Sequence, residues 1–125
     1  KRGGAILTNK KRLNSVAICM DLNLMAVTPR TAISSDFMYY YFLGLDLRKI
    51  NNGSSIPQIN NYSIEPLIIS YPNSLLEQRV IVAKLDALSA ETKNLESIYK
   101  QKLATLEDLK KSILQKTFSG ELTEN

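Results

Sequence analysis

The sequence predicts an α+β chain. A small mixed-sheet unit fills residues 1–73, one long coiled-coil-type α-helix fills residues 74–117, and residues 118–125 form a tail. Three observations predict this. Short β-branched and apolar runs, separated by Asn, Asp and Pro, occupy the first part in the manner of strands. No Pro or Gly occurs between Pro72 and Gly120, in a stretch rich in Leu, Lys, Glu and Ala. The apolar positions of that stretch keep a heptad register, which asks for another helix alongside.

In chain order, five basic side chains surround Ala5-Ile6-Leu7, and a short strand is expected over 4–8, followed by a polar turn at 9–14. Residues 15–20 (SVAICM) read as a buried strand. Asp21-Leu22-Asn23 reads as a turn, and 24–28 (LMAVT) as a further strand ended by Pro29. Ser34, Ser35 and Asp36 offer N-cap oxygens to an apolar segment longer than ten residues, FMYYYFLGLDL, so a helix is expected from about Ser35 to Leu45. Its three consecutive tyrosines also suit a strand. Residues 50–62 (INNGSSIPQINNY) form a polar loop whose Asn, Gln and Ser side chains suit base edges or phosphates, or simply a solvated turn. One helical turn over 62–66 and a last strand over 67–71 (LIISY) lead to Pro72.

The long helix opens on a capping-box spacing, Ser74 followed by Glu77 three residues on. At 1.5 Å per residue it spans roughly 60 Å. Ile81, Leu88, Leu95 and Leu109 hold one seam position, while Leu85, Tyr99, Leu106 and Ile113 hold the other; Thr92 and Lys102 interrupt the seam. These eight apolar residues are the candidate helix-pairing set. Lys102 is either a register device or a weak point. Helix-ending chemistry falls at Gly120.

The net charge of +4 resides in residues 1–73, where Lys1, Arg2, Lys10, Lys11, Arg12, Arg30, Arg48 and Lys49 face only Asp21, Asp36, Asp46 and Glu65. The remainder is neutral. A basic first part favours a polyanion, and a neutral seamed helix favours a protein partner. Cys19 is the only cysteine, which excludes an internal disulfide and fits a reducing cytoplasm. No apolar run reaches membrane-spanning length. The chain begins at Lys1 without Met, as though inside a longer protein.

Enzymatic chemistry is sparse. There is no histidine for acid–base work or metal ligation, one cysteine cannot build a zinc site, and no Gly-rich phosphate loop follows a strand. Glu91-Thr92-Lys93, with Asp86 upstream, has the letters of a nuclease motif but lies within the long helix, a solvated face. The residue types are those of a chain that binds and positions, with no cofactor of its own.

Several ordered segments resemble the C-terminal part of the specificity subunit of type I restriction–modification enzymes. Residues 22–29 (LNLMAVTP) are similar to the family's strand before its aromatic helix, and Phe37–Leu43 to that helix. Gly53-Ser54-Ser55-Ile56-Pro57-Gln58-Ile59-Asn60 resembles its Gly-Ser/Thr-x-x-Pro-Gln-Leu-Asn loop. Residues 75–82 (LLEQRVIV), continued by Leu85-Asp86-Ala87-Leu88, resemble the opening of its conserved helix, and 111–122 (KSILQKTFSGEL) its end. Tyr71-Pro72-Asn73-Ser74 keeps only one proline of the family's Pro-rich hinge, and the Gly-rich segment near residues 3–15 is poorly matched.

The resemblance implies a partial second target-recognition domain plus a conserved-region helix. Such a subunit is non-catalytic. Its recognition domain reads one half of a bipartite site in double-stranded DNA; its helix spaces the half-sites and docks methyltransferase subunits, with restriction subunits completing the enzyme. Adenine methylation with S-adenosylmethionine and ATP-driven cleavage belong to those partners. Lys10, Lys11 and Arg12 are then the phosphate candidates, and Asn52, Ser54, Ser55, Gln58 and Asn60 the base-edge or backbone candidates. The helix is expected to pair with a second one, from the same subunit or from an antiparallel second copy that would place a head at each end. The competing expectation is a structural coiled-coil adaptor whose basic head binds protein.

Overall fold

The computed structural model describes residues 2–53 and 55–120. Three helices occur in it: α1 (Ser35–Gly44), α2 (Asn61–Ile64) and α3 (Leu75–Ser119). The chain divides into two compact units, Lys1–Leu85 and Asp86–Asn125.

The first unit corrects the expected sheet. Among the described residues there is no strand, only an isolated antiparallel bridge between Arg2 and Gln58. A strand needs a neighbour that completes its ladder, and beyond that bridge none of these segments has one among the described residues. Residues 3–10 form successive turns, with the amides of Ile6, Thr8 and Lys10 donating to the carbonyls of Gly3, Gly4 and Ala5 at 3.1, 3.0 and 2.9 Å. Gly3 (φ +99°) and Asn9 (φ +53°) lie in the left-handed region, where Gly and Asn are tolerated best. The segments 15–20 and 24–28, expected as strands, form no ladder and are largely exposed: Val16, Ile18, Met20, Leu24 and Val27 all face solvent. β-branched composition alone cannot hold a strand without a packed face.

The core is small. Ile6, Leu47 and Ile59 are buried, with Met25, Leu45, Ile50 and Ile64 packed on them. Each fully buried aliphatic contributes about 1.5–3 kcal/mol, so polar ties matter here. Asn9 supplies one by accepting the Leu47 amide on Oδ1 at 2.9 Å.

Helix α1 occupies the aromatic segment as expected. Ser34 is its N-cap, its side chain accepting the Phe37 amide. The consecutive tyrosines suit a helix because it is half-buried on most sides: Phe37 through Phe42 are all partly covered. Tyr39–Tyr40 and Tyr41–Phe42 meet edge-on, with centroids 6.2 and 5.5 Å apart. The Tyr41 hydroxyl donates to the Ile68 carbonyl at 3.2 Å, anchoring the 67–71 segment, which is not a strand. At the helix C-terminus the Lys11 ammonium donates to the carbonyls of Leu43 (3.3 Å) and Leu45 (2.5 Å), satisfying acceptors that a helix end leaves open.

Helix α3 bears out the long-helix expectation. Ser74 Oγ accepts the Glu77 amide at 3.4 Å, one arm of the expected capping box. The helix runs two residues beyond the expected end and stops before Gly120, whose φ of +83° suits a glycine C-cap. Within the first unit Ile81 and Leu85 are half-buried. In the second unit Leu88, Leu95, Tyr99, Leu106, Leu109 and Ile113 are all exposed, as are Ile98, Leu103, Leu114 and Phe118. Thr92, at a seam interruption, turns its hydroxyl back to the Leu88 carbonyl at 2.8 Å. Glu96 and Lys100 pair one turn apart at 2.7 Å on the solvated surface. No described helix is long and apolar enough to cross a membrane.

Candidate nucleic-acid interface

The polar loop after α1 is shaped from within. Asn51 Oδ1 accepts two amides, from Gly53 at 3.2 Å and from Gln58 at 2.7 Å. The Asn52 amide donates to the Gln58 carbonyl at 3.0 Å. Gly53 sits where the returning chain passes closest. A Cβ there would lie 1.9 Å from the Ile56 oxygen and 2.8 Å from the Gln58 nitrogen. Only glycine admits this approach.

The candidate site residues divide into braces and exposed groups. Asn60 is a brace. It is the N-cap of α2, with Oδ1 accepting the Ser63 amide and hydroxyl, each at 3.2 Å, while the Ser63 Oγ accepts the Asn60 amide at 3.3 Å. Asn52 Nδ2 donates to that same Asn60 oxygen at 3.3 Å, so the two candidate asparagines spend these groups on each other and on α2. Lys11 is a brace too. Its ammonium is committed to α1, and burial pushes its pKa below the ordinary lysine value, with Asp46 opposing. Lys10, Arg12 and Ser55 are exposed, and Gln58 is half-buried with no side-chain hydrogen bond among the described residues. Ser54 lies outside the described residues.

Gln58 and Asn60 line an open cleft of about 660 Å³ together with Arg2, Asn23, Asn61 and Tyr62. These last four were not among the candidates read from sequence. Arg2 and Asn23 are distant along the chain, and the turn at 21–23 reaches the loop because the Arg2 amide donates to the Asn23 carbonyl (3.2 Å) while the Gly3 amide donates to the Pro57 carbonyl (2.9 Å). Asn61 and Tyr62 directly follow the candidate Asn60 in the polar loop over 50–62, which is their one signal in the sequence. Asp21, also at the cleft, holds its own turn by accepting the Asn23 amide on Oδ1 at 2.7 Å.

A second pair lies at Asp46 and Arg48. The guanidinium donates to both carboxylate oxygens at 2.8 Å. This hydrogen bonding, joined by the Arg48 amide, lowers the Asp46 pKa to about 2. One of the basic charges of the first unit is thereby neutralised locally.

Unspent amides and a guanidinium around an open cleft are the equipment of a binding module for polar macromolecules. The kind of macromolecule follows from comparison: residues 5–108 match the family model of the type I restriction modification DNA specificity domain, and the chain belongs to that family. It is accordingly a DNA-binding target-recognition element of a restriction system. No curated protein and no solved structure matches the chain.

Proposed function

We propose that this chain is a non-catalytic DNA-recognition and assembly part of a type I restriction–modification enzyme, reading one half of a bipartite site. The observation that carries this reading is the cleft beside the 51–60 loop, where hydrogen-bonding side chains converge on a unit that is basic in net charge. Lys10 and Arg12 contact phosphates; Ser54, Ser55 and Gln58 contact backbone or base edges; Asn52, Asn60 and Lys11 hold the surface that presents them. The exposed seam of α3, at Leu88, Leu95, Tyr99, Leu106, Leu109 and Ile113, receives a second helix from the same subunit or from an antiparallel copy. That pair sets the distance between half-sites and docks methyltransferase subunits, to which restriction subunits add. Methyl transfer and cleavage take place on those partners.

Duplex binding measured across a salt series tests the phosphate assignment. Affinity should fall steeply with salt, with a log–log slope of about 0.9 per neutralised phosphate. Binding indifferent to salt overturns it.

The adaptor reading is favoured by one observation: Lys11, central in the basic stretch, points its ammonium into the carbonyls ending α1. Charge reversal at Lys10 and Arg12, sparing Lys11, separates the two. Under the recognition reading DNA affinity drops and helix pairing persists; under the adaptor reading both are unchanged.

A further inference from the structure

The groups around the cleft differ in how much hydrogen-bonding capacity the fold has used. Asn51, Asn52 and Asn60 each have one arm of the carboxamide engaged within the loop and α2, so none presents both arms unengaged. The side chains of Arg2, Asn23 and Asn61 make no hydrogen bond among the described residues, yet line the same concavity. Asn23 and its neighbour Leu22 sit on the tip of a turn closed twice over, by the Asn23 amide on the Asp21 carboxylate (2.7 Å) and by the Leu24 amide on the Asp21 carbonyl (3.0 Å). Leu22 is 99% exposed, a bare aliphatic side chain on the tip of that turn. Exposing it there brings no folding benefit, since it covers no apolar neighbour.

A carboxamide and a methyl-bearing side chain at adjacent positions match the two features that mark an A·T pair in the major groove. Adenine N7 and N6 take the two arms of an Asn amide, and the thymine C5-methyl takes an apolar contact. A guanidinium alongside suits the flanking phosphate. We propose that this cleft reads A·T base pairs through the carboxamides of Asn23 and Asn61, with Leu22 against the thymine methyl and Arg2 on a neighbouring phosphate. The inference rests on the DNA-recognition reading above and deepens it by naming specificity-determining residues and the base pair they take.

The experiment is selection of bound duplexes from a randomised library by the full chain, wild type and variants, with thermal melting of each variant as a fold check. Wild type should enrich a sequence containing A·T pairs. Asn23→Ala and Asn61→Ala should each flatten the preference at one A·T position by about tenfold to a hundredfold, the span expected for one bidentate base contact, without altering the melt. Arg2→Ala should weaken all sequences alike and lower the salt slope by about one. Leu22→Ala removes only an exposed side chain and serves as the independent arm. Replacing thymine with deoxyuridine at the read position should weaken wild type but not this variant. Preferences unchanged in both Asn variants, or enrichment of G·C pairs alone, overturn the inference and leave DNA recognition standing. A wild-type chain that binds DNA but enriches no sequence overturns the recognition reading, and this inference with it.

Discussion

The side-chain oxygen of Gln78 accepts the backbone N–H of Ser34 at 2.9 Å, and Ser34 in turn caps α1 by accepting the Phe37 amide at 3.3 Å. Gln78 is fully buried on the first turn of α3. Its amide nitrogen donates twice more, to the carbonyls of Ala32 (2.9 Å) and Pro72 (2.8 Å). One side chain thus satisfies three backbone groups and ties the start of α3 to the start of α1. A buried glutamine is tolerable only when met in this way.

Gln78→Leu keeps the volume and strands all three backbone partners. Leaving buried polar groups unmet costs about 1–3 kcal/mol, so urea unfolding should show a stability loss of that size, read as a lower midpoint with little change in slope. A loss below about 0.5 kcal/mol would show that water reaches the site.

Gly53→Ala should be more damaging than Asn52→Ala, although both alter the same loop. The added methyl meets backbone at 1.9 Å, whereas Asn52 gives up a single 3.3 Å side-chain bond. The expected order is a destabilisation of about 1–3 kcal/mol for the first and under 1 kcal/mol for the second. Equal effects would mean the loop reopens at no cost.

Helix pairing is checked by molar mass in solution across a concentration series. A second copy on the α3 seam predicts a concentration-dependent dimer, abolished by Leu95→Lys combined with Leu106→Lys, since two more charges beside Lys102 remove the apolar contacts that pair the helices. Helicity should fall with it, because an exposed seam gains its stability from its partner. A wild-type chain monomeric at high micromolar concentration removes the second-copy option and leaves the partner helix within the same subunit.

The Asp46–Arg48 pair sets a pH signature. Hydrogen bonds from Arg48 hold the folded Asp46 pKa at about 2, below its ordinary 3.8. Because the folded value is the depressed one, the pair's contribution is complete above about pH 4 and is lost as pH falls through 2. Titration of the Asp46 carboxyl by NMR should give a midpoint near 2 that returns toward 3.8 in Arg48→Ala. An unchanged midpoint would refute the assignment.

Element type was legible wherever one local signal dominated. Ser34 before an unbroken apolar segment was enough for α1, and the breaker-free heptads with Ser74 and Gly120 at their ends were enough for α3. These depend on interactions three or four residues apart, which the chain order itself specifies. The loop at 51–60 was recognisable by composition and by resemblance, but the division of labour inside it was not. Asn52 and Asn60 look like reading groups in sequence, and in the structure each also bonds within the loop.

Strands were read from the same kind of local pattern and were not found among the described residues, because a strand is completed by a neighbour distant in sequence. The runs at 15–20, 24–28 and 67–71 have the composition without the partner. The cleft has the same dependence on distance: it exists because Arg2, the turn at Asn23 and the loop at Gln58 meet through backbone hydrogen bonds that no spacing announces. Amphipathic period, caps and charge asymmetry belong to the linear chain. Which polar side chains are consumed by the fold and which remain free to meet DNA depends on who their neighbours are, and that is settled only when distant segments pack.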